Sequence, residues 1–161
     1  MAGGARRQSA NAEISVNRKA LRDYHILDAF EAGIELKGTE VKSIRAGLVN
    51  LQGSFARLEG GEVFLYDSDI QPYLRASHEQ HEPRRRRRLL LHRAEIEKLA
   101  GQTEQAGRTL VALKMYWKKG RVKVSLGIGK GKDSADKRAD LKKRVQEREV
   151  QRVLAGIQRK R

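Results

Sequence analysis

Five consecutive arginines, Arg84, Arg85, Arg86, Arg87 and Arg88, form the densest charge run in the chain. Their guanidinium groups cannot cluster without counterions or an anionic partner. Each also presents a planar fork suited to bidentate phosphate contacts and to stacking on bases. The plainer alternative is a solvated surface loop in a protein that is basic throughout. A second concentration of charge lies at residues 129–161, with twelve Lys/Arg against five Asp/Glu, a net +7, and no aromatic residue. Such a tail has too little apolar surface to fold alone, but enough charge to lie along a polyanion. Lys42, Arg45 and Lys123 stand singly on segments with clear inward faces. Each alone reads as a solvated cation; together they can form a phosphate-binding patch. Tyr116 and Trp117 are adjacent in a strand-like run and therefore point to opposite sides. One of them can serve as a stacking platform, unless Trp117 simply fills a barrel end.

Residues suited to bond-breaking chemistry are sparse. His78 and His81, with Glu79 and Glu82, can gather a cation, but five arginines follow directly and the chain has no cysteine. His25 and His92 stand apart from them. Asp67 and Asp69 have a spacing that a metal-dependent nuclease can use, yet at a strand end such carboxylates also simply face solvent. No Ser/His/Asp order, phosphate-binding loop, dinucleotide turn or zinc-helix motif is present. Gly127-Ile128-Gly129-Lys130-Gly131-Lys132 has a Gly-rich look, but Asp133 stands where a phosphate loop needs a hydroxyl, and the stretch reads better as a basic exit from a strand. No catalytic residue, metal or cofactor is expected.

Composition narrows the class. A formal net charge of +15 on 161 residues favours nucleic acid or an anionic surface as partner and says little about fold. No apolar run approaches the ~20 residues a membrane helix needs, and no secretory segment is visible near the start. The absence of cysteine excludes a disulfide framework and thiolate metal sites. A cytoplasmic protein facing nucleic acid is expected.

The elements that must carry these residues follow from periodicity. Residues 1–12 read as a disordered arm. Residues 24–36 read as a long strand bent at Gly33, although Asp28 to Glu31 also fits a helix. Thr39 is placed to cap a short helix that turns Val41, Ile44 and Ala46 inward and stops at Gly47. Residues 54–58 and 63–66 flank Gly60-Gly61, a hairpin signal. Residues 77–88 look irregular. A helix follows Leu89-Leu90-Leu91 and closes at Gly101. Residues 110–117 and 121–128, joined through Lys118-Lys119-Gly120, form the strongest hairpin. The tail has a weakly apolar face through Val150, Val153, Leu154 and Ile157, with Asp133 or Ser134 available as a helix cap. The order implies a mainly β body, an antiparallel oligonucleotide-binding-type barrel with two or three short flanking helices. Its expected divisions are an arm at 1–12, an RNA-binding barrel at 13–128 and a basic tail at 129–161.

Several separated stretches resemble one known family, the SsrA-binding proteins (small protein B), over residues 17–152. They are Asn17-Arg18-Lys19-Ala20 with Asp23-Tyr24; Phe30-Glu31-Ala32-Gly33-Ile34; Gly38-Thr39-Glu40-Val41-Lys42-Ser43-Ile44-Arg45-Ala46-Gly47; His81-Glu82-Pro83-Arg84-Arg85; Leu89-Leu90-Leu91-His92; Leu126-Gly127 before a Gly-Lys stretch; and Asp136-Lys137-Arg138. No piece is decisive alone, but the ordered set is specific. The resemblance implies binding to the tRNA-like domain of transfer-messenger RNA, near its D-loop and elbow, and delivery of that RNA to ribosomes stalled on messages without a stop codon. It implies work alongside alanyl-tRNA synthetase and the tRNA-delivering elongation factor, as a monomer that catalyses no reaction. It assigns RNA contacts to Glu31, Leu91 and Lys123 and places the Gly38–Gly47 motif, with Lys42 and Arg45, on the same surface; Arg18, Lys19, Tyr24, Arg84 and Arg85 complete the expected RNA-binding set. It assigns Gly131, Lys132, Asp136, Lys137 and Arg138 to a tail that enters the small-subunit decoding region and mRNA channel, helical when bound. Asp133 replaces a lysine usual in the family, and Ala135 stands where many members carry His or Tyr, so here the tail relies on charge and helix formation. By physics alone, a general single-strand RNA-binding or ribosomal structural protein fits the barrel and tail equally well.

Overall fold

A computed structural model describes residues 12–74 and 80–159. In chain order the elements are β1 (Ala12–Val16), α1 (Arg18–Asp23), β2 (Tyr24–Ile34), α2 (Gly38–Arg45), β3 (Val49–Asn50), β4 (Phe55–Glu59), β5 (Glu62–Tyr66), β6 (Asp69–Ile70), β7 (Arg87–Leu90), α3 (Arg93–Thr103), β8 (Arg108–Lys118), β9 (Arg121–Gly131) and α4 (Ser134–Arg159). The chain divides into two compact units between Lys130 and Gly131.

The first unit is an antiparallel barrel. Its sheet runs β1-β8-β4-β5-β7-β2-β9, and an additional β8–β9 pairing closes six of these strands into a ring. The ring is thus a six-stranded antiparallel barrel. Closure leaves β1, paired to β8, as a short outer strand, which limits exposed sheet edge. β3 and β6 make a separate two-stranded ribbon.

Alternation builds the core. In β9, Val122, Val124, Leu126 and Ile128 all point inward and are 8% exposed or less. In β8, Leu110 and Ala112 point inward, then Met115 and Trp117 do, because the register with β9 shifts between Ala112 and Lys114. Leu113 is the extra residue of that bulge, and the parity of everything after it is reversed. This carries Tyr116 to the outer face and Trp117 against the core. Val111 and Leu113 instead meet Ala20, Tyr24 and Ile26 in a small outer cluster beneath α1. Gly127 belongs to this arrangement: a Cβ there would lie 2.9 Å from Leu113 Cδ1.

Local chemistry fixes the turns and caps. The β4–β5 and β8–β9 hairpins each close with two residues at positive φ, Gly60-Gly61 and Lys119-Gly120, the requirement of a type I′ turn. Asn17, 1% exposed, caps α1 by accepting from the Ala20 amide at 3.1 Å, while its own amide donates to the Ala112 carbonyl at 2.8 Å. Sequence reading assigned no element there.

The strand expected over residues 24–36 is found as β2 and includes Asp28 to Glu31. Other expectations are corrected. α2 starts at Gly38 and is not capped by Thr39; Glu40 reaches back to the Lys37 amide at 2.9 Å, and Thr39 bonds His81 instead. Ala46 is exposed, and the inward face of α2 is Glu40, Ser43 and Ile44. The 77–88 stretch is not irregular to its end, since Arg87 opens β7, Leu89 and Leu90 continue it, and α3 passes through Gly101 to Thr103. His78 and Glu79 lie outside the described residues, as do residues 1–11 of the expected arm.

The second unit is α4, 26 residues long, with Asp133 accepting a hydrogen bond from the Asp136 amide at 2.8 Å. Among the described residues no helix is long and apolar enough to cross a membrane.

Candidate nucleic-acid interface

One groove of about 820 Å³ on the barrel gathers several of the expected contact residues. The end of β2 supplies Phe30 and Glu31, α2 supplies Val41 and Arg45, the β7–α3 junction supplies Leu91 and His92, and the β8–β9 turn supplies Trp117, Arg121 and Lys123. These segments are scattered from Phe30 to Lys123, so only the barrel's closure brings them together. Gly33 sits on its wall, where a Cβ would lie 3.2 Å from Leu90 Cβ, close enough to push β2 from β7.

The groove is basic with an apolar floor. Arg45 places its guanidinium 5.9 Å from the centroid of the Trp117 ring, a cation–π contact on a wall open to solvent. Leu91 and Trp117 are half-buried against the core. Against these cations stand two carboxylates, Glu31 and Glu95. The Tyr116 hydroxyl donates to Glu31 Oε2, and Lys118 Nζ donates to Oε1 at 3.0 Å. Those two partners, Tyr116 first, hold the Glu31 carboxyl below the ordinary range, so it is ionised. The same contact, after burial, pushes the Tyr116 phenol far above its usual value, so it remains a donor.

The arginine run separates by partner. Arg87 is fully buried and bonded to Glu40, and its Nη1 donates to the Ser68 carbonyl at 2.8 Å and to Ser68 Oγ at 2.9 Å. Arg85 also bonds Glu40, through Nε at 3.0 Å. Arg86 pairs with Glu59 at 2.8 Å and Arg88 with Glu62 at 2.7 Å. Arg84 is exposed and makes no ion pair among the described residues. The counterions that five guanidinium groups require are thus largely the protein's own glutamates, and the run is mostly architecture.

The other expected contact residues are dispersed. Lys42 is exposed on α2, 5.7 Å from the Tyr73 ring centroid. Arg18 and Lys19 are exposed on α1, and the Lys19 amide donates to Gln52 Oε1 at 3.1 Å. Lys19 and Tyr24 line a separate cleft of about 370 Å³ together with Arg57. Tyr24 also packs on Gly129, where a Cβ would come within 3.0 Å of it. In the tail, Gly131 ends β9, Lys132 bonds Asp140, the Lys137 amide donates to the Asp133 carbonyl at 3.2 Å, and Arg138 Nε donates to the Ser134 carbonyl at 3.2 Å. Asp136 is the acidic residue of that turn.

Other candidate chemistry is otherwise occupied. His81 is 3% exposed, with Nε2 2.8 Å from the Ile70 carbonyl and Nδ1 3.0 Å from Thr39 Oγ1. The carbonyl can only accept, so Nε2 carries the proton. Asp69 accepts from Gln71 at 3.0 Å. Sequence reasoning did not single out Glu40, Tyr116 as a partner of Glu31, or Lys118. Only the hydroxyl and the amine themselves signalled a possible hydrogen bond, and nothing local pointed to the carboxylate 85 positions away.

A family model described as SmpB protein matches residues 14–156. Proteins named SsrA-binding protein are similar along nearly their whole length. The one from Geobacillus sp. (strain WCH70) is 53% identical over 146 residues, covering 91% of this chain and 94% of the relative. The one from Trichormus variabilis is 56% identical over 142 residues, covering 88% and 92%. A solved structure described as "tmRNA-SmpB: a journey to the center of the bacterial ribosome" is 52% identical, with a TM-score of 0.63 over 74% of this chain and 84% of that one.

Proposed function

This chain belongs to the SmpB protein family, and from that premise we propose that it binds the tRNA-like domain of transfer-messenger RNA and delivers it to ribosomes stalled on messages lacking a stop codon, enabling trans-translation. The observation that carries the reading is the groove in which Glu31, Arg45, Leu91 and Lys123 converge. It offers cations for backbone phosphates, an apolar floor for bases and one oriented carboxylate, the mixture a folded RNA elbow requires. Arg84, Lys42, Arg18, Lys19 and Tyr24 add RNA contacts away from the groove. Arg85, tied to Glu40, contributes through whatever donors that pairing leaves outward.

Gly131, Lys132, Asp136, Lys137 and Arg138 serve the ribosome rather than the RNA's elbow. They cluster where β9 ends and α4 begins, and the helix beyond them is exposed along its length and basic. Such a rod suits the vacant decoding region and mRNA channel, whose walls are polyanionic. The protein works in the cytoplasm as a monomer, beside alanyl-tRNA synthetase and the tRNA-delivering elongation factor, and catalyses no bond change itself.

Competition binding tests the reading. The tRNA-like domain should displace a labelled copy of itself at concentrations where unrelated structured RNAs do not. Equal competition by those RNAs at physiological salt would make this a general RNA-binding protein instead.

A further inference from the structure

Lys132 stands between the end of β9 and the start of α4, in a tail most of whose residues are exposed, yet its own side chain is only 7% exposed. An ammonium group leaves water to that extent only with a partner. The partner is Asp140, which accepts from Lys132 Nζ and is itself 43% exposed. Their separation makes the pair informative. Asp140 lies in the second turn of α4, about 9 Å along the helix axis from Ser134. A chain entering the helix in line with that axis would hold Lys132 farther away than an extended lysine side chain spans. The pair therefore requires Lys132 to fold back along the helix, and it fixes the angle at which the chain enters α4. Shorter contacts close the same turn. The Asp136 amide donates to Asp133 at 2.8 Å, the Lys137 amide to the Asp133 carbonyl at 3.2 Å, and Arg138 Nε to the Ser134 carbonyl at 3.2 Å. Residues 141–158 are all exposed, so α4 is held chiefly at this end. A lysine covered to this degree is not presented to a phosphate.

We propose that Lys132 and Asp140 form a clasp that sets the entry angle of α4 and pre-forms its first two turns, so that both are positioning residues for the tail on the ribosome. The inference rests on the tail's role proposed above and states how Lys132 serves it: through Asp140, which lies outside the Asp136-Lys137-Arg138 motif, rather than through ribosomal RNA. The two roles for Lys132 give opposite effects of the acid. With Lys132 on a phosphate, Asp140 is a competing anion beside a polyanion, and removing its charge leaves tagging equal or raises it. With the clasp, removing that charge frees Lys132, loosens the first turns and lowers the population of tails ready to enter the channel.

The test uses the full chain carrying Asp140→Asn, Asp140→Glu, Lys132→Met or the exchanged pair Lys132→Asp, Asp140→Lys. All four should keep the affinity for the tRNA-like domain, since both residues lie in the tail unit. Asp140→Asn should make the amide hydrogens of residues 136–141 exchange about fivefold faster in the free protein. Because a marginal helix then spends less time formed, tagging on stalled ribosomes should fall about threefold. Lys132→Met should match it in both readouts. Asp140→Glu should keep both near those of the unmodified protein, and the exchanged pair should recover part of each loss although position 132 is then acidic. Tagging left equal or raised by Asp140→Asn overturns the proposal, as does an exchanged pair that tags no better than Lys132→Met. Unchanged amide exchange in Asp140→Asn overturns the clasp while the parent reading stands. Failure of the unmodified protein to tag overturns the parent reading and, with it, the ribosomal role of the clasp.

Discussion

Arg87 and Glu40, 47 positions apart, form an ion pair in which neither side chain is exposed to solvent. The pair ties the first turn of α2 to the first residue of β7. Around it the remaining valences are filled: Arg87 also donates to the Ser68 and Pro83 carbonyls, the latter at 3.0 Å, and Glu40 also accepts from Arg85 and from the Lys37 amide. A buried pair stabilises only when its desolvation is offset by such geometry, and removing one member leaves the other charged and unmatched. α2 carries Lys42 and Arg45 outward from this anchor, so the pair sets where those cations stand.

Glu40→Gln should therefore destabilise the barrel by roughly 3–5 kcal/mol, read as a fall in the urea midpoint at unchanged m-value. A Glu40→Gln, Arg87→Met double variant should recover part of that loss, because the uncompensated charge is gone. Arg87's carbonyl partners would still lack a donor, so recovery should be incomplete. A double variant no better than the worse single variant would show that the charge balance is not what matters.

Acid should act through the same carboxyl. Burial works to raise the Glu40 pKa, but Arg85, the Lys37 amide and Arg87 together outweigh it and leave the group below its ordinary value of 4.5. Below 4.5 the unfolded chain takes up the proton before the folded one does. The stabilisation is thus complete above 4.5 and lost as pH falls through the lower, folded value. Urea midpoints measured on both sides of pH 4.5 should decline more steeply on the acid side for the unmodified protein than for Glu40→Gln.

What the sequence disclosed and what it hid divide along range. The β8–β9 hairpin was legible because Val122, Val124, Leu126 and Ile128 alternate and Gly120 supplies a turn. The β4–β5 hairpin was legible from Gly60-Gly61. Long-range effects were not. The bulge at Leu113 leaves no local mark, yet it decides that Tyr116 meets Glu31. Arginines 84–88 looked like one anionic-partner site because their acidic partners, Glu40 on α2 and Glu59 and Glu62 on the β4–β5 hairpin, are brought to them only by the tertiary fold. α1 escaped notice because its six residues are too few to show a period, and its cap Asn17 is fixed by β8. In the site, Arg45 and Lys123 were named from the residues themselves and Glu31 and Leu91 through family resemblance; their convergence required the closed ring.

The partition of the arginine run has a direct consequence for RNA binding. Arg84→Ala should weaken binding to structured RNAs in general and lower the salt slope by about 0.7–0.9 if it removes one phosphate contact. Arg87→Met should leave that slope unchanged under conditions where the variant is folded, since its guanidinium faces Glu40 and not solvent. Equal changes in slope for the two would contradict the buried assignment of Arg87.

The tail offers a separable test, because its helix follows directly on a residue that caps it. Asp133 accepts from the Asp136 amide at 2.8 Å and so satisfies one of the free donors at the start of α4, where its charge also opposes the helix dipole favourably. Apolar residues on α4, among them Leu141, Val153 and Leu154, are more than half exposed, so the helix gains little from packing and depends on its ends. Asp133→Ala should therefore cost about 0.5–2 kcal/mol of helix stability and lower helical content by circular dichroism. Affinity for the tRNA-like domain should be unaffected, since Asp133 lies outside the groove, whereas tagging on stalled ribosomes should fall. Asp133→Asn, which keeps the capping oxygen and removes the charge, separates the two contributions: tagging restored by Asn assigns the effect to the cap, and tagging left low by Asn assigns it to the charge. Asp133→Lys removes the cap but adds a cation for the ribosomal RNA. Higher tagging by Asp133→Lys than by Asp133→Ala would show that electrostatic attraction can stand in for a pre-formed first turn.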